Sequence, residues 1–536
     1  MANYYIGIGG TGARCAESYI YLAAAGIIKG DLQLLIIDPD ANNGNSSAVE
    51  NLLTYYTTIH REGQPRNPNS PRTFKILSSI LPSKPRDPVL FQVDINNDGA
   101  VPGLWNMPQT NERQFIDVVE YAACSQKVKS FVDLFYQTED LDMRLGVGYQ
   151  GRTNVGAVAL KEDLEETRDR ERGGLRELLV ALTRDLQNGE ARVFVTGSVF
   201  GGTGAAGIPT LPALLKGLGE QDLPASQRAN LRWGCAMMGP YFIFPRANST
   251  EAAHLGLGTD STLHPIATQA ALMHYAHTPP AYQHVYLIGA PFRGQTNDAN
   301  HPGGSDQRNQ PHYAELAAAL AAWDFFSLQS TDQEERKLHF ADTHDNGIDR
   351  GVTWETLPVG VVGAPGRRSE LAQKLIAFTT FVYVYRNILH NEFITNQSYR
   401  DSDMYKDNFG TLSLEGYAQE QSLIALNAFC DNYLSWLRGI SQTGGEAVRT
   451  LFNWQAFEAR DVANCELLVG NLIPLGTPEA PRLPRYSRTG YQRIMEILNH
   501  TTLDSPQTQS AVGLLIYLLY AAVFEFCRQN YGWPKK

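Results

Sequence analysis

Between Arg192 and Pro209 the sequence changes character twice within a few residues, and that junction leaves few folds open. A strand-like run, Arg192-Val193-Phe194-Val195-Thr196, breaks into Gly197-Ser198-Val199-Phe200-Gly201-Gly202-Thr203-Gly204-Ala205-Ala206-Gly207 and then into a helical stretch with Pro209 near its start. Valine and phenylalanine suit a pleated surface, glycine admits tight turns and close backbone approach, and proline is tolerated early in a helix. A strand that feeds a helix through a glycine turn is the unit of a parallel α/β sheet, and the N–H groups at such a helix start attract anions.

The same unit opens the chain: a strand at 4–8, glycines from Gly7 to Gly12, a helix at 13–25 and a strand at 32–37 ending in Asp38-Pro39-Asp40. A third glycine turn, Gly146 to Gly156, leads into a helical stretch at 157–186. Strand candidates at 232–238 and 284–288 end in Gly239-Pro240 and Gly289-Ala290-Pro291, so the alternation continues. Residues 42–88 read as an elaborated connection, and 114–136 carry helix-like apolar spacing. After a polar loop at 293–310, Pro311 opens a strong helix at 312–326. Beyond Thr331 helical segments dominate, at 368–390, 421–440 and 510–530, with one short strand candidate near 358–362.

At 536 residues the chain exceeds one ordinary core. The expected division is a nucleotide-binding domain at 1–308, a central helix at 309–330 and a mainly helical C-terminal domain at 331–536. A formal net charge of -11 supplies no basic footprint for phosphate backbones, which argues against nucleic acid as a direct partner. The cysteines Cys15, Cys124, Cys235, Cys430, Cys465 and Cys527 form no CxxC pair, so neither a zinc knuckle nor a disulfide framework is indicated. The first strand follows the N-terminus without a basic n-region or cleavage pattern, and the apolar segment at 511–524 is shorter than the roughly 20 residues of a spanning helix. The expectation is a cytoplasmic protein with no membrane span, 511–524 being a buried helix.

Glycine turns at the ends of successive parallel strands gather at one rim of the sheet, where the following helices present N–H groups and positive dipole ends to a common space. A polyphosphate suits that space, with Thr11 and Thr203 adding hydroxyl donors. The chain contains no GxxxxGK[ST], so the phosphates must be held mainly by backbone. The spacing Gly7-x-Gly9-x-x-Gly12 is also a dinucleotide fingerprint, with Asp38 or Asp40 where a ribose-binding acid belongs. A Rossmann-type NAD- or FAD-dependent oxidoreductase is therefore an open alternative, although it leaves the second loop at Gly201 unexplained.

The stretch Gly201-Gly202-Thr203-Gly204-Ala205-Ala206-Gly207 resembles the signature loop GGGTG(T/S)G of the tubulin/FtsZ superfamily, with Phe200 and Gly201 departing from the glycine run. In order along the chain, Gly7 to Ala13 looks like that family's first loop, Asp38 to Ala41 like its second, Gly146 to Gly156 like its third, and Gly239 to Phe244 like its fifth. The resemblance spans roughly residues 4–328 and is closer to divergent bacterial tubulin-like proteins than to cell-division FtsZ. It implies a Rossmann-like parallel-sheet GTPase domain, a long central helix, GTP or GDP with Mg2+, and head-to-tail self-association into oligomers or filaments of cytoskeletal type.

The resemblance also implies roles. Gly9, Gly10, Thr11 and Gly12, with Gly201, Gly202, Thr203 and Gly204, would hold phosphates. Gly151, Arg152 and Thr153 fall in the loop that senses the terminal phosphate, where an arginine fork suits phosphate oxygens. Asp40 would help hold hydrated magnesium. Asn309 and Tyr313, at the start of the central helix, would meet the base. Hydrolysis would be completed by acids after the central helix acting on the neighbouring subunit's nucleotide, for which Asp332, Glu334 and Glu335 are the candidates. That loop lacks the family's NxDxx(D/E) pattern, which keeps open a catalytically inactive nucleotide-binding scaffold that meets a protein partner through its C-terminal helices. His339, Asp342, His344 and Asp345 have metal-ligand types, but their loop-like composition makes a metal site a minor expectation.

Overall fold

The computed structural model describes residues 2–63, 76–77, 90–96, 101, 103–107, 113–168, 174–219, 230–241, 264–289, 303–328, 336–341, 344–345, 348–349, 367–389, 421–442, 490–500, 502–503 and 511–530. At its centre is a seven-stranded, wholly parallel sheet. Its strands are β1 (Ala2–Ile8), β2 (Leu32–Ile37), β3 (Leu104–Trp105), β4 (Ala191–Ser198), β5 (Leu231–Met238), β6 (His284–Ile288) and β7 (Lys337–Ala341), in the order β3-β2-β1-β4-β5-β6-β7. Chain order reverses between β1 and β4, so the crevice beyond Ile8 and Ser198 is the switch point at which such sheets bind ligands.

Both faces of the sheet are covered, which is why β4 is buried along its whole length and reads as an apolar run. Alternate residues divide between two cores: Tyr5 and Phe194 enter one, Tyr4, Ile6, Val193 and Val195 the other. The first core is closed by helices α1 (Gly9–Ala24), α2 (Gly44–Glu62) and α7 (Tyr313–Ser327), and the second by α3 (Thr153–Arg168), α4 (Gly174–Asn188), α5 (Gly202–Gly219) and α6 (His264–His277). Helix α7 is buried on most sides and rich in alanine, as a helix sandwiched between sheet and helices must be, and its two acids, Glu315 and Asp324, are both partnered. His312 starts it by accepting from the Ala314 N–H at 3.1 Å, while Glu315 accepts from the His312 N–H at 2.9 Å.

Three C-terminal helices, α8 (Arg367–Tyr383), α9 (Gln421–Gln442) and α10 (Ala511–Asn530), belong to the first core rather than to one of their own. Tyr21 of α1 packs its ring against Phe429, Tyr433 and Trp436 of α9. Within α10, Val512–Gln529 has the length and composition to cross a membrane, but 83% of that window is buried inside the protein.

Some elements differ from the sequence expectation. Residues 114–136 are not one helix: Glu120 takes a left-handed φ of 48°, and Ser125 caps a separate helix, Gln126–Phe135. The stretch 157–186 divides between α3 and α4. The edge strand β7 was not expected, because five alternating residues after a long helix give a weak signal. The strand candidate at 358–362 lies outside the described residues.

Candidate functional site

A cavity of about 130 Å³ opens at the switch point, against the roughly 10–15 Å³ that accommodates one water. Helix α6 begins at its wall with His264, and four further helices begin at or just behind it. Helix α1 starts at Gly9 directly from β1, α2 starts behind Asn43, α3 follows the loop 147–151, and α5 starts at Gly202 behind β4. None of the four carries an acid in its first turn, so no side chain of their own neutralises the positive ends of their dipoles.

Close packing explains the glycines. A Cβ on Gly12 would lie 2.6 Å from the Gly7 carbonyl carbon, so α1 can leave β1 at this angle only if both positions are bare. A Cβ on Gly202 would lie 2.7 Å from the Tyr149 Cβ, which presses the start of α5 against the loop 147–151. Much of the lining is thus backbone from three loops, with the hydroxyl-bearing Thr11, Ser198 and Thr203 among it.

The lining also includes side-chain amides and one guanidinium. Asn45 and Asn309 pair reciprocally, the Asn309 N–H donating to Asn45 Oδ1 at 3.0 Å and Asn45 Nδ2 donating to Asn309 Oδ1 at 3.1 Å. Asn43 Nδ2 donates to Gln307 Oε1 at 2.8 Å. Arg14, only 4% exposed, donates from Nη1 to Asn309 Oδ1 at 2.9 Å, from Nη2 to the Tyr241 hydroxyl at 2.6 Å and from Nε to Glu315 at 2.5 Å. The cavity floor is thereby tied to the start of α7.

Two carboxyls also line the cavity. Burial pushes Asp38 up to about 7 even though the Ser46 hydroxyl and the Asp40 N–H donate to it. Asp40 accepts backbone N–H bonds from Asn42 at 3.0 Å and Gly304 at 2.6 Å, so both its oxygens are engaged. Each retains a second lone pair, and a hydrated magnesium ion held through water fits that donor set.

Of the sequence candidates, Gly9, Gly10 and Thr11 line the cavity, as do Gly201, Gly202, Thr203 and Gly204, and so do Asp40, Gly151 and Asn309. Gly12 packs behind the wall against Gly7 and Thr196. Arg152 does not line the cavity, because Asp140 holds its Nε at 2.6 Å. Thr153 begins α3 just outside the lining, and Tyr313 is turned into the core beside His312. Asp332, Glu334 and Glu335 lie outside the described residues. His339 of β7 stacks on Tyr286 of β6, Asp342 lies outside the described residues, and no metal-binding cluster occurs among the described residues.

Sequence reasoning passed over Arg14, Asn43, Asn45, Gln307 and His264, all in the cavity wall. Asn43-Gly44 could be read as a turn or a helix cap, and only the second reading would have placed Asn45 at a helix start. Nothing local marks Arg14, whose partners are distant in sequence.

No family model and no curated protein matches the sequence. Among solved structures, the chain matches the GTPγS-bound protofilament of CetZ2 from Haloferax volcanii with 13% identity and a TM-score of 0.26. The match covers 62% of this chain and 61% of that one, so it spans less than two thirds of the known structure.

Proposed function

We propose that this chain is a guanine-nucleotide-binding protein of the tubulin/FtsZ type, which binds GTP or GDP with Mg2+ and associates head to tail into oligomers or filaments. The supporting observation is the convergence of four helix starts, none with an acid in its first turn, on a cavity also lined by side-chain amides and a guanidinium. Backbone N–H groups and dipole ends suit a polyphosphate, and side-chain amides suit the edge of a base. The loop sequence at Gly201–Gly207 resembles the signature that, in this superfamily, holds such phosphates. Hydrolysis is part of the proposal, with Asp332, Glu334 or Glu335 of one subunit acting on the nucleotide of the next; an interface that repeats without closing gives a filament.

The test is identification of the nucleotide released on denaturing the purified protein, together with binding of GTP, ATP and NAD to the unsubstituted chain and to Thr203→Glu. Thr203 is a better probe than Gly202, where any side chain meets Tyr149 and would disturb the fold. Guanine nucleotide that is lost in Thr203→Glu supports the reading. NAD or FAD in its place would overturn it in favour of a Rossmann oxidoreductase.

A further inference from the structure

We infer that His264 contacts the terminal phosphate of the bound nucleotide and makes the site discriminate triphosphate from diphosphate. The inference rests on the nucleotide reading above and assigns a role to a residue outside every glycine loop. His264 is 5% exposed and its ring forms part of the cavity wall, in the company of Ser198, Phe200 and Gly201. Its ring packs against that of Phe200, the residue directly before Gly201 of the signature loop.

Its position is built by a chain of contacts. His264 is the first residue of α6, and its ring lies 4.5 Å from that of Phe200. Further along α6 the Tyr275 hydroxyl donates to the Ala205 carbonyl at 3.1 Å, and beyond the helix the Tyr282 hydroxyl donates to the Ile208 carbonyl at 2.7 Å. These three contacts fasten α6 and its exit to the signature loop and to α5, so His264 cannot drift without disturbing them. Phe200, the residue that interrupts the glycine run, is 5% exposed and forms the surface on which the imidazole rests. An imidazole N–H is a directional donor to a phosphate oxygen, and here the ring lies beside the signature loop.

The experiment measures Kd for GTPγS and for GDP on the same preparations of the unsubstituted chain, His264→Ala and His264→Gln. Using the ratio of the two constants removes any contribution from unfolded protein. His264→Ala is expected to weaken GTPγS by about tenfold or more while GDP changes little, the size of one lost hydrogen bond to a charged group. His264→Gln, which keeps an N–H donor, is expected to restore part of the ratio. An unchanged ratio in His264→Ala, whether both affinities fall together or neither falls, would overturn the inference and leave the nucleotide reading standing. Failure of the unsubstituted chain to bind either nucleotide would remove both.

Discussion

Arg14 and Glu315 form a buried ion pair, Nε to Oε1 at 2.5 Å, that joins the first turns of α1 to the first turn of α7. Glu315 has a second duty, since its other oxygen accepts the His312 N–H and so caps α7. The Tyr241 hydroxyl donates to Glu315 at 2.8 Å and accepts from Arg14, closing a triangle of charged and polar groups. Because Arg14 also holds Asn309, one guanidinium links the cavity lining to the start of α7.

Removing one member of this pair strands the other. Glu315→Gln and Arg14→Met are each expected to destabilise the protein by about 3–5 kcal/mol, the range for breaking a buried pair. The double variant Arg14→Met/Glu315→Gln should lose less than the sum, because neither charge is then left alone. Denaturant unfolding of the four proteins measures this, and strict additivity would contradict the network.

Asp38 gives a pH dependence with a definite sign. Burial raises its carboxyl from the usual range to about 7, so between roughly pH 4 and 7 the folded state holds more proton than the unfolded state. Its contribution is fully present below the unfolded pKa and is lost as pH rises toward 7, with a slope approaching about 1.4 kcal/mol per pH unit. Asp38→Asn should abolish that component of the slope. His312 acts oppositely: burial, then Arg14, lower it to about 3, so its contribution is present above about pH 6.5 and lost as pH falls toward 3. Stability against pH for the unsubstituted chain, Asp38→Asn and His312→Asn separates the two; a slope unchanged in Asp38→Asn would show that its pKa is not displaced.

Trp436 tests whether the C-terminal helices are structural parts of the core. Its indole N–H donates to the Ser18 hydroxyl at 3.1 Å, and its ring lies 4.9 Å from that of Tyr21. Trp436→Ala should cost about 3–5 kcal/mol, as for other large buried aromatics. Trp436→Phe should recover most of it, losing chiefly the hydrogen bond. Thermal and denaturant midpoints decide, and a shift under about 1 kcal/mol for Trp436→Ala would mean that α9 is not needed to close this core.

What could be read from sequence follows from the range of the interactions. The β1, β4 and β5 strands and the turns after them were legible because apolar runs and glycines are local signals, and the helix after Pro311 was legible because its apolar character and its proline are contiguous. Arg14 was not, since its partners Tyr241, Asn309 and Glu315 lie 227 to 301 residues away. Arg152 looked like a phosphate ligand because it follows the glycine turn, but its ion pair with Asp140 depends on how 126–142 fold back, which periodicity does not reveal. The break at Glu120 was invisible for a similar reason: a non-glycine residue in the left-handed region carries no compositional mark.

Arg192 offers a last test, at the far end of α7. Buried in β4, it donates from Nη1 to the carbonyls of Phe325 at 3.1 Å and Phe326 at 2.9 Å, and from Nη2 to that of Leu328 at 2.6 Å. These are carbonyls at and just past the helix C-terminus, of which that of Phe325 also accepts the Leu328 N–H, and a cation there also meets the negative end of the dipole. Arg192→Met should cost about 1.5–3 kcal/mol, and Arg192→Lys should recover little, because a single ammonium cannot reproduce the planar fork. Leu328 stands four residues before Asp332, the first of the acids proposed for hydrolysis, so the same substitutions should lower any nucleotide turnover more than nucleotide affinity. Equal stability of the Lys variant and the unsubstituted chain would show that charge alone, without the fork, holds this end of the helix.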